Sequence, residues 1–263
     1  MSQPSPIAGA NVRVFPDAEA AALAAAEAIA RAIEAAVAAR SKAALGLATG
    51  ATPEPVYAHL VDRHRAGGLS FAEVSTFNLD EYYPMGPLDP RSYRAYMHRH
   101  LFAHVDLASN RAHVLDGTVP EAFAHRHAAD FDRWIFADGG LDLQLLGIGR
   151  NGHVGFNEPS TLAVEDALVL PTRVVALHPT TIRDAAREFA AEDRVPRRAL
   201  TMGIAPILAA RSILVLAFGP AKADAVARSL RGPITAQVPG SLLRSATDKV
   251  TWMIDEAAAA GLP

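Results

Sequence analysis

The feature that most constrains this chain is an alternation running almost its whole length. Short apolar runs are each followed by a segment with helical spacing. Runs at 12–15, 43–48, 74–79, 141–148, 173–177, 212–218 and 249–254 read as strands. The spacing between them predicts helices over 17–40, 53–65, 92–103, 120–136, 181–189, 201–210 and 222–230. The runs 141–148 and 213–218 are apolar on both faces, as in a parallel strand covered by helices on each side. The expected fold is α/β: one doubly wound, mostly parallel sheet with helices on both faces. With no internal repeat or low-complexity linker, 11–263 is expected to form a single domain behind a flexible N-terminus, 1–10. The stretch 155–172, with Pro159 and Pro171 and mixed polarity, is the best candidate for a long functional loop, and 155–190 for a lid.

Composition narrows the function classes. Half the residues are hydrophobic and a fifth are charged, so a sizeable core is available and global disorder is excluded. Lys plus Arg (25) nearly balances Asp plus Glu (28), which argues against a nucleic-acid partner. The chain has no cysteine, which removes disulfides, thiolate metal sites and Cys nucleophiles and makes a cytoplasmic location the expectation. The Ala-rich stretch 17–40 is interrupted by Glu19, Glu27, Arg31 and Glu34, so it reads as a surface helix and not a membrane span. No signal peptide is apparent, and a soluble protein is expected. Of the 25 basic residues only Lys42, Lys222 and Lys249 are lysines.

In an open α/β sheet, ligands bind beyond the carboxyl ends of the strands, so the chemistry should sit in the loops there. Four stand out. Thr49-Gly50-Ala51-Thr52 leads into Pro53, with Thr52 suited to the N-cap and Pro53 to the first helical position. Free backbone N–H groups in such a corner suit phosphate, although an ordinary capped turn looks the same. Asp80 and Glu81 are adjacent at a strand end and should point different ways, so one faces the site. A carboxylate there can move a proton between carbons, although such pairs are also commonly solvated or helix-capping. Gly147-Ile148-Gly149-Arg150-Asn151-Gly152-His153 contains Gly-x-Gly-x-x-Gly, but Gly155, Asn157 and Pro159 follow where a dinucleotide site needs a helix. What remains is a glycine loop with His153 and Glu158 behind it, either an acid/base pair or a structural histidine. Lys222 follows a strand and opens a helix, where its charge opposes the dipole, making it a candidate for holding an anion. His100 and His104 have metal-pair spacing without a third ligand, so no metal is expected.

Taken together, these loops resemble the glucosamine-6-phosphate deaminases, in the superfamily that also holds 6-phosphogluconolactonases. The resemblance runs from about Val12 to Asp255. It is most specific at Thr-Phe-Asn-Leu-Asp-Glu-Tyr (76–82), Leu-Gly-Ile-Gly-Arg-Asn-Gly-His-Val-Gly-Phe-Asn-Glu-Pro (146–159) and Val-Pro-Arg-Arg-Ala-Leu-Thr-Met-Gly (195–203). It implies a Rossmann-like fold, a sugar-phosphate substrate and no cofactor or metal. It also implies roles: His153 opens the sugar ring, with Glu158 and Asn151 positioning it, and Asp80 carries a proton from C2 to C1. Water then attacks the ketimine, releasing ammonia and fructose 6-phosphate. Thr49, Gly50, Ala51, Thr52 and Gly147 would line the substrate site, with Lys222 and Arg187 as counter-charges. Arg187 comes from a less crisp match in which Arg183 is a near competitor.

Two departures qualify the likeness. Asn151 stands where some relatives carry Asp. The segment 160–172 is longer and more apolar than in many relatives, so activation by N-acetylglucosamine 6-phosphate is not expected. The other readings are 6-phosphogluconolactone hydrolysis, deamination of an epimeric amino-sugar phosphate, and a non-catalytic sugar-phosphate sensor. A homo-oligomer is compatible with all of them.

Overall fold

The computed structural model describes residues 10–262. The expected flexible stretch 1–10 lies outside them except for Ala10. In chain order the elements are β1 (Asn11–Phe15), α1 (Ala18–Arg40), β2 (Ala43–Leu47), α2 (Glu54–Arg65), β3 (Val74–Asn78), β4 (Asp80–Tyr83) and α3 (Tyr93–His100). Then come β5 (Ala112–His113), α4 (Glu121–Ala137), β6 (Leu143–Gly147), α5 (Val164–Leu168), β7 (Arg173–Ala176), α6 (Pro179–Ala185) and β8 (Arg198–Thr201). The chain closes with α7 (Ile204–Ala209), β9 (Ile213–Ala217), α8 (Ala223–Arg231), β10 (Val250–Asp255) and α9 (Glu256–Ala259).

Seven strands form a parallel sheet in the order β1-β10-β9-β6-β2-β3-β5. Every residue of β2 and β9 is buried, so both faces of the sheet are covered there, as the two-sided apolar runs require. Asp17 caps α1 by accepting the Ala20 N–H at 2.8 Å. The helix then buries a stripe of small residues, Ala22, Ala25, Ala26 and Ala30, beside Ile29 and Ile33. The adjacent strands β2 and β6 send the chain opposite ways, β2 toward β3 and β6 toward β9. The loops after them flank a topological switch point, where open α/β sheets bind ligands.

A second sheet was not foreseen. β4, β8 and β7 form a three-stranded antiparallel sheet in which Asp80 pairs with Thr201, and Thr201 with Arg173. The run at 173–177 is therefore a strand, but not one of the main sheet. Its half-buried Arg173, Val174 and Val175 and exposed Ala176 show an edge strand, not a strand covered on both faces. The helix expected over 201–210 starts only at Ile204, because Thr201 belongs to β8. The helix expected over 181–189 starts earlier and ends at Ala185. Pro179 takes its first position, and the His178 side chain caps it by accepting the Thr180 N–H at 3.2 Å. A small cluster of Tyr82, Phe156, Ile182 and Phe189 fills the space under this region, apart from the main core.

Candidate active site

The ends of β2, β3, β6 and β9 surround a cavity of about 400 Å³ lined by residues 48–52, Leu79, Asp80, Tyr93, Gly147–Gly149, His153, Gly155, Phe156, Phe218 and Lys222. All four loops singled out from sequence therefore converge on one space. Of the proposed site residues, Thr49, Gly50, Ala51, Thr52, Asp80, Gly147, His153 and Lys222 line it directly. Asn151 and Glu158 stand immediately behind His153. Arg187 does not join them. It is exposed on the turn after α6, as is Arg183 on the helix itself, and neither lines the cavity.

The anion corner is held from behind by two tyrosines. Tyr57 donates its hydroxyl to the Ala48 carbonyl, and Tyr96 donates to the Gly50 carbonyl at 2.7 Å. In a trans peptide the following N–H points the opposite way, so the Thr49 and Ala51 N–H groups are turned away from the tyrosines. Neither meets an acceptor among the described residues. Gly50 has φ +97°, a left-handed conformation that glycine adopts without steric cost. Thr52 does not cap α2, because Pro53 occupies the cap position and no side-chain cap bond forms. Lys222 sits at the opposite mouth, before α8, and its Nζ donates to the Ile148 carbonyl at 2.8 Å. Burial lowers the pKa of its ammonium, yet the group keeps hydrogens free for an anion.

Asp80 and Glu81 diverge, as adjacent residues on a strand must. Asp80 faces the cavity, is 5% exposed, and receives no side-chain hydrogen bond from a described residue. Burial pushes its carboxyl well above the usual carboxylate range, and the neighbouring Glu81 charge adds to the effect. Glu81 turns toward α3 instead.

Glu158 is the opposite case. It accepts from Asn151 Nδ2 at 2.9 Å, from Thr181 Oγ1 at 2.5 Å and from the His178 N–H at 3.3 Å, and it lies 3.3 Å from His153 Nδ1. Burial works to raise its carboxyl. Hydrogen bonding and charge from His153, with Thr181 and Asn151, outweigh burial and hold it at about 2. A carboxylate fixed in this way takes Nδ1–H and leaves Nε2 as the basic nitrogen of the ring. Asn151 serves both partners, donating to Glu158 and accepting the His153 N–H at 3.1 Å through Oδ1. An Asp there could not donate to Glu158 when ionised, so the amide suits this network. Gly149 makes room for the ring, since a Cβ there would lie 2.2 Å from His153 Cε1.

Sequence reasoning missed several contributors. Tyr93 and Phe156 stack at 6.0 Å with 14° between planes and form an aromatic wall. Thr181 and His178, more than 19 residues after Glu158, hold its carboxylate. The His178-Pro179 pair, which suits a helix start, is the one sequence feature near them and was not read as such.

The fold and cavity define a switch-point pocket that brings together a turn with free backbone N–H groups, a buried unpaired carboxylate and a His–Glu unit. The family described as glucosamine-6-phosphate isomerases/6-phosphogluconolactonase matches residues 16–252. A glucosamine-6-phosphate deaminase of Rhodopirellula baltica is 50% identical over 215 residues, covering 82% of each chain. One from Bacillus velezensis is 48% identical over 219 residues, covering 83% of this chain and 88% of the relative. The solved structure of a monomeric glucosamine-6-phosphate deaminase superposes with a TM-score of 0.88 at 38% identity, over 95% of this chain and 99% of that one. A 6-phosphogluconolactonase from Trypanosoma brucei shares the fold at a TM-score of 0.75 and 20% identity. The chain belongs to the glucosamine-6-phosphate isomerase/6-phosphogluconolactonase family.

Proposed function

We propose that this chain is a glucosamine-6-phosphate deaminase, converting glucosamine 6-phosphate and water to fructose 6-phosphate and ammonia. The observation that carries the reading is the pairing, in one cavity, of a buried unpaired carboxylate with a hydrogen-bonded His–Glu unit. Deaminating relatives at about half identity support the substrate.

The substrate phosphate rests on the free N–H groups of 49–52 and on Lys222. His153, held by Glu158 and Asn151, moves the proton that opens the pyranose ring to the aldehyde. Asp80 removes the proton from C2 while one ammonium proton passes to the C1 oxygen, giving a neutral enolamine across C1 and C2, and Asp80 then returns its proton to C1. The unsaturation now lies between C2 and nitrogen. Water adds to C2, the C–N bond breaks, and ammonia leaves with the ketone formed. Burial favours the protonated form of Asp80, so its ionised form is a strong base, and the ammonium on C2 helps to keep it ionised. The segment 155–190 acts as the lid, and Arg187 would reach the phosphate only when that segment moves. The whole described chain serves this one site as a single domain.

Among the described residues no helix is long and apolar enough to cross a membrane. A cytoplasmic location suits a phosphorylated substrate, and sedimentation of the purified chain distinguishes a monomer from a homo-oligomer. The deciding assay offers glucosamine 6-phosphate and 6-phosphogluconolactone in parallel. Ammonia release with the first is expected. Lactone hydrolysis without ammonia release would replace this reading.

A further inference from the structure

The reaction above leaves the immediate neighbour of Asp80 unused. Glu81 is 2% exposed, and its carboxylate ends against the first turn of α3. It accepts the Tyr93 N–H at 3.0 Å and the Arg94 N–H at 3.1 Å, and also the N–H of its own neighbour Tyr82 at 2.9 Å. Ser92 already takes the Ala95 N–H at 3.0 Å. These first-turn donors have no partner within the helix, so one buried carboxylate and one hydroxyl complete the start of α3.

Water could satisfy the same donors at an exposed helix start, whereas burying a charge is costly. What the buried carboxylate adds is a short, rigid connection. Asp80 and Glu81 are consecutive in β4, and Tyr93 is the first residue of α3, with its ring in the cavity wall. Tyr93 in turn packs on Tyr82, with ring centroids 5.0 Å apart, and on Phe156. Proton transfer is sensitive to placement, and a shift of about 1 Å can cost roughly 100-fold in rate.

We propose that Glu81 is a positioning residue for proton transfer at Asp80, fastening the start of α3 and the cavity-lining Tyr93 to the strand that presents the base, with its charge standing next to that base. This rests on the reading of Asp80 as the proton carrier. The titratable and charged groups around Glu81 are Asp80 and Tyr82 on its own strand and Tyr93 and Arg94 on α3. Around Asp80 stand Glu81 and the tyrosines 57, 82 and 93, with His153 and Lys222 across the cavity. Burial raises the Glu81 carboxyl to about 7, against the pull of its three backbone hydrogen bonds and Arg94.

Two variants separate reach from charge. Glu81→Gln keeps the length and loses the charge. Its kcat should fall about 10-fold with KM little changed. The acid limb of kcat/KM should move down by about one pH unit, because Asp80 ionises more easily without a like charge beside it. Glu81→Asp keeps the charge and loses the reach, so kcat should fall similarly while the acid limb stays. Folded variants with unchanged kcat and unchanged acid limb, or with a loss confined to KM, would overturn the proposal. A measurement on the unaltered protein needs neither variant nor substrate. The amide proton shifts of Tyr93 and Arg94, followed by NMR, should move together at the pH where the Glu81 carboxyl titrates, and shifts that move independently of each other would overturn the clamp. Wild-type protein that releases no ammonia would defeat the functional reading alone, leaving the clamp to this titration.

Discussion

Asp80 and Glu158 are carboxylates serving the same cavity from opposite sides, and they are built in opposite ways. Glu158 is enclosed by an amide, a hydroxyl, a backbone N–H and an imidazole, and its carboxyl is held at about 2. Asp80 is the more deeply buried of the two, receives no side-chain hydrogen bond from a described residue, and its carboxyl is raised. Burial works to raise both carboxyls, and only at Glu158 do surrounding donors outweigh it. A carboxylate whose oxygens are satisfied keeps its charge and fixes a neighbour. A carboxylate left unsatisfied is better placed to exchange a proton.

The largest test of this contrast is at Asp80. Asp80→Asn should lower deaminase turnover by about 10²–10⁴-fold, the usual range for a positioned base, in a steady-state ammonia assay. On the other wall, Gly149→Ala drives a Cβ into the His153 ring and should cost about 100-fold in kcat while the protein stays folded. A residue belonging to neither carboxylate should behave differently again. Lys222→Ala removes a phosphate contact and should raise KM by about 10-fold or more with a much smaller change in kcat. An unchanged KM would take Lys222 out of the site.

The smallest effect concerns stability, where the two carboxylates should have opposite signs. The Glu158 carboxyl lies below its ordinary value of 4.5, so its contribution is full above that pH and is lost as pH falls toward about 2. Glu158→Gln should therefore cost roughly 1–3 kcal/mol at neutral pH and progressively less below pH 4.5 in urea unfolding. The Asp80 carboxyl lies above its ordinary value of 3.8, so the fold favours its protonated form and loses stability as pH rises past that value. Asp80→Asn should be more stable than wild type at neutral pH, with the advantage vanishing below pH 3.8. Matching signs for the two variants would break the comparison.

Much of this site is legible in the sequence, because its parts follow strands of the central sheet. Strands such as β2 and β9 are apolar on both faces, so their ends, and the loops carrying Thr49 and Lys222, could be read directly. β8 was not legible. Four residues flanked by polar and glycine segments leave no two-faced apolar signature, and their pairing with Asp80 is set by tertiary structure. The partners of Glu158 were hidden for a related reason. Thr181 and His178 reach it from 20 or more residues away through single hydrogen bonds, which impose no periodicity on the sequence. Arg187 rested on a local match, which cannot say where a side chain beyond a helix end will point.

On the proposed mechanism Asp80 carries the proton between C2 and C1, while Glu158 only holds His153. Turnover in D₂O, with deuterium at C1 of the fructose 6-phosphate read by NMR for wild type, Asp80→Asn and Glu158→Gln, tests it most directly. Solvent-derived deuterium at C1 is expected with wild type, slower incorporation with Glu158→Gln, and incorporation slowed by about 10²–10⁴-fold, in step with turnover, with Asp80→Asn. Deuterium delivered to C1 by Asp80→Asn at the wild-type rate would contradict that mechanism.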